Sequence, residues 1–108
     1  MKIKELNKII FDYAYAPQKL IRVISTCKDT SLLNEVNTFL KLKRPIGKKI
    51  FYRSCKNGNL EVVKWITKLF NFTYADATSR RRDSLMISSK YGHLELVKWI
   101  VTTFQINQ

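Results

Sequence analysis

The sequence predicts an all-α fold: a short stack of helical hairpins with two clear copies, one degenerate copy and an N-terminal helix in front of them. Three observations predict it. A segment of 13 residues recurs 34 positions later. A glycine stands at the same place in both copies, and the apolar residues on either side of it follow helical spacing. The first copy reads Ser54-Cys55-Lys56-Asn57-Gly58-Asn59-Leu60-Glu61-Val62-Val63-Lys64-Trp65-Ile66, and the second Ser88-Ser89-Lys90-Tyr91-Gly92-His93-Leu94-Glu95-Leu96-Val97-Lys98-Trp99-Ile100. Nine of the 13 aligned positions are identical, and Phe70 and Phe104 extend the match.

Residues 1–16 read as a capping helix with Ile3, Leu6, Ile10 and Tyr13 facing inward. Residues 17–47 form the degenerate copy. Pro17 marks the start of its first helix, which carries Leu20, Ile21, Val23 and Ile24. Cys27-Lys28-Asp29-Thr30 makes the turn, and Leu33, Val36, Phe39 and Leu40 line a second helix. Thr30 or Ser31 stands where the later copies have glycine, so this turn is built differently. In residues 48–81, Phe51 and Cys55 share one helix face, Gly58 ends that helix, and Leu60, Val63 and Ile66 line the next. Residues 82–108 repeat the pattern with Leu85 and Ser89, Gly92, then Leu94, Val97 and Ile100. One hairpin cannot bury its apolar stripe alone, whereas stacked neighbours can. The last copy ends on Trp99, Ile100, Val101 and Phe104 without a polar cap, which predicts an apolar edge that self-associates, pairs with another chain, or frays.

Composition narrows the function. The 108 residues suffice for one domain, and 45% apolar content argues for a packed core. No apolar run approaches the ~20 residues of a membrane span, and the opening Met1-Lys2-Ile3-Lys4-Glu5-Leu6-Asn7-Lys8 lacks the features of a secretory signal. Cys27 and Cys55 are too few for a disulfide scaffold and fit reduced thiols in an intracellular, cytoplasmic or nuclear, protein. A single histidine leaves no metal-ligand spacing, and there is no paired-carboxylate, nucleophile-elbow or phosphate-loop pattern. The expectation is a protein without catalysis, metal or cofactor.

At Asn57-Gly58-Asn59-Leu60-Glu61-Val62-Val63-Lys64 and Tyr91-Gly92-His93-Leu94-Glu95-Leu96-Val97-Lys98 the chain resembles the ankyrin repeat family. The Val-Lys-Trp-Ile endings resemble the divergent arrays of giant DNA viruses and some amoebae, which implies a viral protein acting in a host cell. The resemblance implies an ankyrin-like solenoid, with fingers and first helices lining a concave face. Where the family opens its first helix with Thr-Pro-Leu-His, this chain has Lys49-Ile50-Phe51-Tyr52 and Asp83-Ser84-Leu85-Met86. Gly47 falls at the family's finger-loop glycine and Arg81 at its next occurrence, which implies a strained or irregular second finger.

Charge then points to a partner. The net charge is +12. Residues 41–57 contribute +7 and residues 78–91 contribute +3, while the second-helix stretches 58–77 and 92–108 are each neutral. Carried over from the family's contact positions, the partner-binding residues are Lys48, Lys56, Asn57, Arg80, Arg82, Lys90 and Tyr91; charge alone adds Lys43, Arg44 and Arg81. A non-catalytic module that grips an acidic protein surface through a basic concave face is the first expectation. Binding of nucleic acid through phosphates, without sequence preference, is the alternative. Trp65 and Trp99 read as inter-repeat core, His93 as a turn residue, and both cysteines as buried thiols.

Overall fold

A computed structural model describes residues 17–106. The N-terminal capping helix expected over residues 1–16 lies outside the described residues. The described chain is mostly helical and elongated, about 45 × 21 × 20 Å. Its elements are α1 (Pro17–Ser25), α2 (Thr30–Leu40), α3 (Arg44–Asn57), α4 (Leu60–Phe70), the single turn α5 (Tyr74–Ala77), β1 (Thr78–Ser79), β2 (Arg82–Asp83), α6 (Ser84–Lys90) and α7 (Leu94–Thr103). The first helices make a row, with α3 packed between α1 and α6; α4 packs on α3 and beside α2, and α7 packs on α6.

Every second helix starts at a polar residue placed by the sequence. Asp29 caps α2 by accepting from the Ser31 and Leu32 amides at 3.0 and 3.4 Å, which is how the degenerate turn manages without glycine. Asn59 caps α4 through the Val62 amide. Gly58 and Gly92 both take φ 73°. The bonds around them repeat: Asn59 N–H to Ser54 O at 2.9 Å, His93 N–H to Ser88 O at 3.0 Å. The near-identical segments are therefore near-identical turns.

The turns also bond to one another. Asn59 Nδ2 donates to the Ser25 and Cys27 carbonyls of the preceding turn, at 3.0 and 2.8 Å. One copy later, His93 Nε2 donates to the Lys56 carbonyl at 2.8 Å, which puts the ring proton on Nε2. The core runs beneath these turns, through Leu20, Ile24, Leu33, Val36, Ile50, Phe51, Val62, Val63, Ile66, Leu96 and Ile100. Phe51 ties the last two hairpins together, edge-on to Phe72 at 5.2 Å and to Phe104 at 6.2 Å. Cys55 is fully buried, and burial pushes its thiol well above the ordinary range, so it is inert.

Several expectations need correction. Gly47 is not a loop glycine: it sits inside α3, so the division after residue 47 cuts a helix, and a Cβ there would overlap the Phe70 ring. Close approach of α4's end, not a left-handed backbone, is what requires glycine. Arg81 is not left-handed either. Among the described residues only Lys41, Asn71 and Gln105 are non-glycines at positive φ. Arg80 and Arg81 form the tip of a regular hairpin, with Thr78 paired to Asp83 and Ser79 to Arg82. Phe39 and Leu94 were expected inside but are 64% and 61% exposed, and Leu96 takes the core position in α7. Trp65 and Trp99 are half-buried, Trp65 donating to Asn34 Oδ1 at 2.7 Å. Cys27 is half-buried too.

Candidate functional site

The basic residues sort by helix geometry. On α3, Gly47, Ile50, Phe51, Ser54 and Cys55 face the core. The neighbouring face therefore presents Lys49, Tyr52, Arg53 and Lys56, spaced i, i+3, i+4 and i+7. These four residues line a cleft of about 220 Å³ together with Gln18 and Ile21 of α1 and Arg82 of β2. A second cavity, about 280 Å³, lies between α3 and the arginine hairpin and is lined by Lys48, Phe51, Asp76, Ser79, Arg80, Arg81 and Arg82. Arg82 borders both. The lysine-rich helix and the arginine triplet thus share one side of the molecule, the side of the first-helix row.

Asp76 organises the second cavity. Its carboxylate accepts from the Thr73 amide at 2.8 Å and the Thr73 hydroxyl at 3.1 Å, closing the first turn of α5. It also pairs with Arg44 at 2.6 Å and Lys48 at 3.1 Å. Burial pushes its carboxyl up, but the Thr73 bonds and the two cations outweigh burial and hold it below its ordinary value. Asp76→Asn should destabilise the fold by about 1–2 kcal/mol at neutral pH. A carboxyl lowered by folding stabilises above its unfolded pKa, and that contribution fades as pH falls through the lowered value. Urea melts of both proteins, repeated from about pH 7 down to about pH 3, should show the gap closing.

The expected partner residues do not all stand free. Arg44 donates to the Phe70 carbonyl at 2.6 Å, pairs with Asp76 and lies over the Phe72 ring at 5.1 Å, so it clamps the end of α4. Lys48 shares Asp76 with it. Asn57 donates to Ser25 Oγ at 3.3 Å, an inter-hairpin bond. Lys43, at the start of α3, is exposed. Arg80, Arg81 and Arg82 are exposed on the hairpin. Lys56 and Lys90 flank the exposed Tyr91 ring at 5.6 and 5.9 Å.

Reading the sequence for sites missed Lys49, Tyr52, Arg53 and Gln18. The spacing of the first three was a usable signal, because it marks one face of a helix whose core face was already identified. It also missed Asp76, which was counted with a neutral stretch but lies among the cations. The second-helix side differs: Trp65, Lys68, Leu69 and Asn34 line a hollow there, with a single cation. At the far end of the stack, Met86 and Leu94 are 69% and 61% exposed. Among the described residues no three His, Cys, Asp or Glu side chains could hold a metal ion, and no helix is long and apolar enough to cross a membrane. The chain matches no protein-family model, and no curated protein or solved structure is significantly similar to it.

Proposed function

We propose that this chain is a non-catalytic interaction module, an ankyrin-like stack of hairpins that binds an acidic protein surface along the row of first helices. One observation carries the reading: cations from separate hairpins, on α3 and β2, converge on two adjoining clefts that share Arg82. Such a face attracts an acidic partner quickly and in a salt-dependent way. The ankyrin-like assignment rests on the duplicated turns and on Asn59 and His93 reaching back to the preceding turn in the same manner. An intracellular setting fits two cysteines that are both unpaired.

The test measures binding of a fluorescent Glu-rich peptide and of random-sequence DNA and RNA, at about 150 mM salt and at several-fold lower salt. The peptide should bind, more tightly at low salt. Changing Arg80, Arg81 and Arg82 together to Glu should abolish that binding, whereas Lys68→Glu on the other side should leave it within about twofold. Peptide binding that survives the triple reversal would overturn the reading. Tight nucleic-acid binding with a steep salt slope, and none of the peptide, would replace it with the phosphate-backbone alternative.

A further inference from the structure

The two clefts differ in one respect that bears on ligand chemistry. The cavity beside the arginine hairpin contains its own carboxylate, Asp76, which occupies Arg44 and Lys48. The adjoining cleft has none among the described residues. Lys49, Arg53, Lys56 and Arg82 line it, no acidic residue does among the described residues, and none of the four takes part in an ion pair or hydrogen bond there. Three of these cations lie on one face of α3, and the fourth arrives from β2. The Tyr52 side chain lies beside them, and Gln18 contributes from α1.

Four like charges around about 220 Å³ repel one another, and among the described residues no carboxylate relieves them; only Lys56 has an aromatic face nearby, the Tyr91 ring at 5.6 Å. A single carboxylate brings one negative charge and two oxygens. A phosphomonoester brings close to two charges and three acceptor oxygens, roughly doubling each pairwise attraction. The forked guanidinium groups of Arg53 and Arg82 suit such oxygens, and the lysines add charge around them. Resting on the acidic-partner reading above, we propose that this cleft is a phosphate-recognition site, taking a phosphorylated side chain carried by an acidic segment of the partner protein.

The experiment titrates the full chain, at about 150 mM salt, with an acidic peptide bearing one phosphoserine and with the same peptide bearing Glu instead. Inorganic phosphate and a single-stranded oligonucleotide are run alongside. The phosphopeptide should bind about tenfold more tightly than its Glu counterpart, and millimolar inorganic phosphate should displace it. The preference should shrink from about pH 7 to about pH 5, as the phosphate takes up its second proton. It should vanish in Arg53→Gln and in Arg82→Gln, each checked by circular dichroism, and persist in Lys68→Gln. Arg53 is a solvent-facing helix residue whose replacement keeps the fold, so a preference that survives Arg53→Gln overturns the assignment. Equal binding of the two peptides overturns the phosphate site and leaves the acidic-partner reading standing. Binding of neither peptide overturns both, as does oligonucleotide binding without peptide binding.

Discussion

Phe51→Ala should cost about 4 kcal/mol, the largest loss expected of any single side chain. Phe51 is 2% exposed and lies edge-on to Phe72 and Phe104, so its ring joins α3 to the segment after α4 in its own hairpin and to the end of α7 in the next. Truncation leaves a cavity at that junction and also removes two aromatic pairs worth about 0.5–1.5 kcal/mol each. A domain of this size has roughly 5–13 kcal/mol of stability in all, so the variant sits near the edge of folding. Urea denaturation followed by helical circular dichroism checks this. A loss below about 1 kcal/mol would mean that the hairpins do not pack through this ring.

Gly58→Ala and Gly92→Ala should differ by about 2 kcal/mol, although both glycines have φ 73°. The backbone cost of alanine in this conformation, about 1 kcal/mol, is common to both. Nothing lies within 4 Å of a Cβ at Gly92. At Gly58 the added carbon would overlap the His93 ring and disturb its bond to the Lys56 carbonyl. Gly58→Ala should therefore lose about 3 kcal/mol against about 1 kcal/mol for Gly92→Ala. The difference reports the coupling of one turn to the next, since local turn geometry cancels. Equal losses would show that His93 contributes nothing to stacking. His93→Ala in the Gly58→Ala background should then cost little more, because the two changes remove the same contact.

The helices were legible because their cues are local. Periodic apolar residues and the glycines at 58 and 92 each act within a turn or two of chain. The repeat told which helices pair, since identical turns need identical residues. Gly47 was misread because its requirement comes from Phe70, a contact made by folding and invisible in local sequence. Arg81 was misread for a similar reason: the hairpin reaches its tip without a left-handed residue. Phe39 and Leu94 lie on helical spacing yet face water, because the stack leaves those positions without a neighbour.

The candidate site divides along the same line. Sequence by itself determined the mostly helical character, the duplicated turn and the concentration of positive charge before and within the first helices, all properties of residues near one another in the chain, but not the short β1–β2 hairpin that carries the arginines. Tertiary structure alone decided which cations remain available. Asp76 lies 32 residues from Arg44 in sequence yet 2.6 Å from it in space, and it withdraws Arg44 and Lys48 from the face, while Lys49, Arg53, Lys56 and Arg82 have no ion pair among the described residues. A charge count along a chain weighs every ionised group alike, whereas an ion pair forms only where folding brings the partners within a few ångströms.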